Sequence, residues 1–411
     1  MVARKLSSHR RALIAAAVAL AAAPPASALE KSYIPIPEII TDPNEGTTIG
    51  LLGVVLFLEK DEIKYMLTPD FRYNQTTGPY PTFRFYGYPE PARRYSIVAG
   101  KSTTRDQNYE LEYIDRTFWD GRAFVLTDVL YEKDSTERFY GIGNNSRQNP
   151  VETPNGPRHG KSNYTDVDTV AQATPGVWIL PYANLSYRMR IRNYGIEHGQ
   201  VSGIPFVGES HPDAPGLDGG TYWAHQVAAT YDSRDSTDIP TQGALAFLYS
   251  EVADRALGSS TSFVKFGADW RDFIPFRQTR NPILALHGLL NYVSGDSSTP
   301  WWEMSSLGGH RGLRGYGGHR YIDFNRSMAQ AELRTDVWHH PLFGVNFELE
   351  LAPFAETGQV FHHVDTSPVS DLHYSYGLGF RGVVRPQIVG FVDVGKGSEG
   401  IAVFTGVDYP F

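Results

Sequence analysis

The stretch Leu185-Ser186-Tyr187-Arg188-Met189-Arg190-Ile191-Arg192 decides the fold class. Its odd positions are apolar and its even positions polar or basic, the two-residue period of a β-strand with one apolar and one charged face. Gln330-Ala331-Glu332-Leu333-Arg334-Thr335-Asp336-Val337 repeats the pattern with mixed charge, and Asn346-Phe347-Glu348-Leu349-Glu350-Leu351 repeats it with carboxylates. A soluble sandwich also alternates, but with strands of about five or six residues. Here the segments run to about ten residues or more, and their apolar faces are rich in Tyr, Phe and Leu, as in a transmembrane barrel with lipid outside and a polar lumen inside.

The same alternation recurs from residue 46 to the end of the chain. It predicts an all-β fold, a transmembrane antiparallel β-barrel of sixteen strands near 47–58, 64–74, 93–103, 107–118, 121–132, 167–179, 183–195, 221–234, 243–254, 261–274, 283–294, 327–338, 345–360, 371–384, 387–396 and 401–411. Residues 79–88 read as a further strand or a loop, and the even count normal for a single-chain bacterial barrel favours the loop. Connections are long at 133–166, 196–220 and 295–326 and short at 180–182, 236–242, 339–344 and 384–386. Long external loops and short periplasmic turns place the start of the barrel on the periplasmic side. The predicted organisation is a signal peptide at 1–28, a short periplasmic lead-in at 29–45 and a barrel domain at 46–411.

The N-terminus supports export. Arg4, Lys5, Arg10 and Arg11 precede an apolar run from Ala12 to Ala23 and a small-x-small site at Ala26-Ser27-Ala28, so cleavage is expected before Leu29. That leaves 383 of the 411 residues and moves the net charge from −8 to −12, a balance that argues against a nucleic-acid partner. Past the signal no stretch reaches the roughly 18–20 apolar residues of a membrane helix. The expected location is the outer membrane of a Gram-negative bacterium, with membrane lipid as the first partner. The chain has no cysteine, which removes disulfides, zinc thiolates and thiol nucleophiles. Its 13% aromatic content suits interfacial girdles.

Counting back in twos from Phe411 gives Tyr409, Val407, Thr405, Val403 and Ile401, a row expected to face lipid and to end in an aromatic residue. Such a terminal strand resembles an outer-membrane assembly signal, carried here by Tyr409 and Phe411. Three further segments stand out. Gly308-Gly309-His310-Arg311-Gly312-Leu313-Arg314-Gly315-Tyr316 lies in the long loop before the twelfth predicted strand. Tyr231-Asp232-Ser233-Arg234-Asp235, with Pro240 and Gly243, lies at a short turn, and Phe354-Ala355-Glu356-Thr357-Gly358 lies on the thirteenth predicted strand. Together, in this order, they resemble the BamA/TamA superfamily of outer-membrane assembly and translocation barrels, the bacterial surface antigen family. Pro43-Asn44-Glu45-Gly46 and Phe139-Tyr140-Gly141-Ile142-Gly143-Asn144 add to the likeness, which spans residues 43–411. Glu356 stands where the family usually has Asp, and no counterpart of the family's periplasmic POTRA domains is expected on this reading. The resemblance implies a sixth extracellular loop inserted into the lumen, client outer-membrane or secreted proteins as partners, and a weak seam between the first and last strands. A separate periplasmic subunit is then expected to supply what POTRA domains supply elsewhere.

The loop motif also has a direct physical reading. Glycine permits close backbone approach, so a Gly-rich loop can carry Arg314 into a lumen, where a guanidinium needs a carboxylate in bidentate geometry. The alternation puts Glu356 on the lumen face, with Glu332 and Asp336 on the preceding strand. Leu313, Arg314, Gly315 and Tyr316 are therefore expected to dock inside, with Glu356 as the main partner of Arg314. The competing reading leaves Arg314 in solvent above the barrel.

Little else points to chemistry. Ser210, His211 and Asp213 are sequence neighbours and rarely take triad geometry, and no Gly-x-Ser-x-Gly elbow occurs. His339-His340 and His362-His363 fall at opposite ends of the predicted barrel. Gly141 and Gly143 precede no helix that would cradle a phosphate. Arg188, Arg190 and Arg192 read either as an anion filter or as partners of lumen carboxylates, and pairing is the expected outcome. Neither an enzyme nor a cofactor or metal site is expected. The predicted function is protein insertion or translocation at the outer membrane; the alternative is a passive pore or structural barrel acting with a periplasmic partner.

Overall fold

The computed structural model describes residues 29–411 apart from 60–61, 91, 149–150, 154–155, 159, 277–280, 343–344, 386–387 and 408. The expected signal peptide lies outside the described residues. The wall is one antiparallel meander. Its first strands are β1 (Glu30–Asp42), β2 (Gly46–Glu59), an interrupted β3 (Glu62–Leu67 and Asp70–Asn74), β4 (Gly78–Glu90), β5 (Arg93–Lys101), β6 (Gln107–Asp115) and β7 (Ala123–Phe139). The middle holds β8 (Ser162–Leu180), β9 (Ala183–His198), β10 (Gly220–Asp232), β11 (Gly243–Ala253), β12 (Phe263–Pro275) and β13 (Ile283–Gly295). The last third holds β14 (Asn325–Leu342), β15 (Val345–Phe361), β16 (His373–Val384), β17 (Ile388–Gly397) and β18 (Gly400–Val407). Among the described residues no helix is long and apolar enough to cross a membrane. The wall crosses with strands, whose backbone groups are satisfied by their neighbours.

Among the described residues the wall has eighteen strands where sixteen were expected, because two segments read as irregular are paired. The expected lead-in forms β1, which pairs with β2 from Glu30↔Leu58 to Asp42↔Gly46. The segment 79–88, taken as a loop, lies in β4 between β3 and β5. The even-count argument failed because the lead-in adds a strand as well, and the prolines are accommodated: Pro79 and Pro81 lie beyond the β5 ladder, which begins at Thr82↔Gly100. No partner there misses their N–H. Two additions keep the count even, so both ends of the wall emerge at the short-turn end, and 43–46 is a turn at the long-loop end.

The alternation is as read from β9. Leu185, Tyr187 and Met189 are exposed on the outer face. The arginines between them point inward to partners described below. The final row departs from expectation. Ile401 on β18 is exposed, but the strand ends at Val407, and Tyr409 and Phe411 turn into the lumen, where both are buried. The tail does not face lipid because Arg334 on the opposite wall takes both rings, with its guanidinium carbon 3.9 Å from the Tyr409 ring centre and 5.4 Å from that of Phe411.

The ring closes where β18 meets β1, and this seam differs from every other junction. No residue register joins the two strands among the described residues. The Thr41 N–H donates to Thr405 Oγ1 at 2.7 Å, and the Thr405 hydroxyl donates to the Ile39 carbonyl. Alternate residues of a strand direct their backbone groups to one side, so Pro35 and Pro37 share the edge of Ile39 and Thr41 and offer it no N–H.

Candidate functional site: the lumen loop and its anchors

The loop between β13 and β14 folds back into the barrel. It begins with a 3-10 turn at Trp301–Glu303, continues through a short hairpin of Ser305–Leu307 with Tyr321–Asp323, and ends in the tip Gly308–Gly318. The tip lies flush against β17. A Cβ on Gly315 would come 2.5 Å from the Gly397 backbone nitrogen, and one on Gly395 would come 2.2 Å from the Arg314 carbonyl oxygen. Glycine is required at that approach. Leu313 is buried with Leu307, Tyr316, Tyr321 and Met328. The Tyr316 hydroxyl reaches Ser398 Oγ at 3.0 Å and accepts the Ser398 N–H.

Arg314 is wholly buried. Its backbone N–H donates to Glu356 Oε2 and its Nε to Glu356 Oε1, both at 2.6 Å. Nη1 donates to Glu332 Oε2 at 2.6 Å and to Asp393 Oδ2 at 3.1 Å, and the guanidinium sits 3.6 Å from the centre of the Phe354 ring. Arg381 bridges Asp393 and Glu332, while Arg334 binds Glu332 Oε1 at 2.9 Å. Ser375 Oγ and Gln330 Nε2 complete Glu356. Three guanidinium groups thus face three carboxylates with little water, the condition under which buried charges are tolerated. The expected Arg314–Glu356 pair is present. Glu332 is a second partner, whereas Asp336 lies towards the short-turn end beyond the network.

The other end of the loop carries an anchor of opposite sign that sequence reading missed. Glu303, also buried, receives Arg190 Nη2 at 3.0 Å, Arg192 Nη1 at 2.8 Å and Lys265 Nζ. Glu251 binds Arg188 and Arg190, and Asp168 binds Arg192. The arginine row of β9 is therefore paired with lumen carboxylates. Trp302 stacks on Tyr194 at 4.3 Å, and Trp301 packs on Phe139 at 4.7 Å. The adjacent tryptophans were the available signal, since aromatic residues beside a loop carboxylate point to burial. The loop thus spans the lumen from a cationic wall on β9 and β12 to an acidic wall on β14, β15 and β17.

Neighbouring loops close over it. Arg320 binds Glu399 at 2.5 Å, Gly143 N–H donates to the Ile322 carbonyl, and Asn44 Nδ2 donates to the Gly318 carbonyl at 3.0 Å. Arg138 in turn donates to the Asn44 carbonyl. Glu45, beside Asn44, has its carboxyl pushed up to about 7, first by burial and then by the nearby carboxylates Asp134 and Asp42.

At the short-turn end, Asp232 receives Arg234 Nε and Nη2, each at 2.9 Å. Asp235 takes the Thr241 N–H at 2.9 Å, Pro240 is buried, and Gly243 adopts φ +94° where a Cβ would meet the Ser233 carbonyl at 2.3 Å. The motif is a rigid turn that delivers Ile239 into an apolar cluster with Val383, Val389 and Tyr409. Asp336, His339 and Glu348 bring potential ligand atoms within 4.8 Å of one another, but Arg385 already engages Glu348 at 3.1 Å.

These features define a transmembrane β-barrel braced by an inserted loop. Residues 92–382 match the Omp85 superfamily domain, and the chain belongs to that superfamily, whose members are outer-membrane β-barrels. The BamA/TamA-type reading is consistent with its structural likenesses. BamA from Haemophilus ducreyi lacking POTRA domains 1–3 is 13% identical with a TM-score of 0.55, the match covering 97% of this chain and 78% of that one. CdiB from Escherichia coli is 10% identical with a TM-score of 0.60, covering 91% and 67%. At these identities the likeness is one of fold. No curated protein matches the chain.

Proposed function

We propose that this barrel inserts or translocates client proteins at the outer membrane, using the β1–β18 seam as a lateral opening and the anchored loop as the brace that keeps the wall round while the seam parts. The observation that carries the reading is the seam itself. Every other neighbouring pair in the wall has a registered ladder, while β18 and β1 are joined through the Thr405 hydroxyl, and Pro35 and Pro37 leave the adjoining edge short of donors. Separating these strands costs far less than separating any other pair. The two charged anchors of the brace, Glu303 and Arg314, pair with residues of β9, β12, β14, β15 and β17 and with none of β1 or β18. Clients would be outer-membrane or secreted proteins, and a separately encoded periplasmic subunit would bring them to the short-turn end. A permanently open pore is disfavoured by a lumen filled with paired charges. No reaction chemistry is assigned to the barrel.

The chain lacks cysteine, so Ile39→Cys with Thr405→Cys makes a clean lock across the seam. Purified protein in liposomes should accelerate folding of a second, unfolded outer-membrane barrel. The oxidised double variant should lose at least fivefold of that acceleration, and reductant should restore it. A reduced protein that gives no acceleration over empty liposomes would overturn the reading.

A further inference from the structure

The short-turn end of the lumen holds a group of side chains that neither the seam nor the loop anchors use. β14 carries a bulge there: Asp336 lies opposite Glu350 and Trp338 opposite Leu349, so Val337 is an extra residue with no counterpart on β15. On a regular strand, residues three apart fall on opposite faces. The extra residue cancels one alternation, so Val337 and Trp338 are both exposed, while His339 returns to the face of Asp336 and lies directly opposite Glu348. Asp336, His339 and Glu348 each bring one potential ligand atom to within 4.8 Å of the other two.

The backbone fixes this arrangement while the side chains leave it open. Asn281, just before β13, accepts the Asp336 N–H at 3.1 Å and donates Nδ2 to the Asp336 carbonyl at 3.0 Å, so the bulge is held from its other neighbour as well. Among the described residues the Asp336 carboxylate takes no hydrogen bond, and His339 Nε2 stands 4.0 Å from its Oδ2. Glu348 is met by Arg385 Nε at 3.1 and 3.3 Å, from an exposed side chain on the turn after β16. The two carboxylates are 18% and 17% exposed, the imidazole 61%, so the acids are set in the wall and the ring above them is free to turn. Arg385 offsets one of the two carboxylate charges and a neutral imidazole offsets none, which leaves the group with an excess of negative charge.

We propose that Asp336, His339 and Glu348 form a zinc site at the short-turn mouth of the lumen, which clips β14 to β15. Two carboxylates and an imidazole with no sulfur suit a first-row divalent ion, and zinc binds such a set more tightly than manganese or iron. Bonds of about 2.0–2.2 Å put the ligand atoms of a tetrahedral zinc roughly 3.3 Å apart, so the exposed His339 ring has to close in by about 1 Å. The protein supplies three ligands and leaves the fourth position to water. Zinc neutralises both acids and takes the place of Arg385 on Glu348, so the guanidinium acts as a competitor that occupies the site in the metal-free protein. β1 and β18 contribute no ligand, so failure of the site would leave the insertion reading standing, and the reverse also holds.

The probe is zinc chloride, titrated against a fluorescent chelator into the tag-free full chain in detergent micelles, with each variant shown to be folded by its heat-modifiable gel mobility. Unsubstituted protein should take up one equivalent. His339→Gln or Asp336→Asn should weaken that binding at least tenfold, and Arg385→Gln, which removes the competitor, should tighten it at least threefold. His340→Gln is the control, because that ring stacks on Trp338 at 5.4 Å and should leave the affinity unchanged. Zinc should also slow amide hydrogen exchange within 338–342 and 345–349 of unsubstituted protein and not of His339→Gln, a readout that separates a clip across two strands from metal held at one side chain. Absence of one-equivalent binding, equal affinity in the His339 and Asp336 variants, or a loss in His340→Gln as large as that in His339→Gln would each overturn the proposal.

Discussion

Arg314 binds both oxygens of Glu356 from two different parts of one residue, the backbone N–H and the side-chain Nε. The contact therefore fixes the path of the loop as well as its charge. Replacing Glu356 with Ala leaves a buried guanidinium short of a carboxylate and a backbone donor unpaired, which costs about 3–5 kcal/mol. The urea midpoint of heat-modifiable gel mobility should fall accordingly. The Arg314→Ala, Glu356→Ala double variant should lose less than the two single losses added, because the partners fail together. Additive losses would show that the two side chains act separately.

Glu303 holds the opposite end. Glu303→Gln keeps the shape but leaves Arg188, Arg190, Arg192 and Lys265 facing Glu251 and Asp168 alone, at a cost of about 3 kcal/mol. The loop should then open more often while the wall stays folded. Thermolysin cleavage within 296–324 should accelerate at least tenfold, read by mass spectrometry of the folded barrel. An unchanged rate would mean that the tryptophans hold the loop unaided.

Gly315 tests the close approach of loop to wall. A methyl group there meets the Gly397 backbone 2.5 Å away, and neither side can rotate aside. Gly315→Ala should destabilise the barrel by about 1–3 kcal/mol, whereas Gly121→Ala, which meets no atom within 4 Å, should show only the strain of its positive φ. Equal effects would place the constraint elsewhere.

Glu45 gives a pH dependence of defined sign. Its carboxyl titrates near 7 in the fold, above the 4.5 of an unperturbed glutamate, so the folded state binds the extra proton between those values. Its stabilising contribution is complete below about pH 4.5 and is lost as pH rises through 7, amounting to about 1–3 kcal/mol. Glu45→Gln should flatten the fall in thermal midpoint between pH 5 and 8. A slope unaffected by that change would assign the dependence to other groups.

The Arg314–Glu356 pair was legible because the strand period alone puts Glu356 inward, and a loop arginine among glycines has few other places to go. The paired β9 arginines were legible for the same reason. Glu303 was not, because its partner Arg190 lies 113 residues away and local pattern carries no trace of the contact. β1 and β4 were not legible because an even count is satisfied equally with both strands or with neither, and the pairing of β1 with β2 and of β4 with β3 and β5 is a tertiary fact. The inward turn of the tail was hidden differently: its sequence continues the apolar alternation, and only Arg334 and the apolar clusters it meets after closure make the lumen the better solvent for its rings.

By itself the sequence determined that this is a strand-built wall with an apolar face towards lipid and a charged face inward, because side-chain direction along a strand is a property of the backbone that needs no partner. The tertiary structure decided how many strands close the ring, which cation meets which carboxylate across the lumen, and where the tail goes. Those outcomes depend on what stands opposite after closure, and in an interior with little water a charge or an aromatic ring settles wherever its desolvation is best compensated.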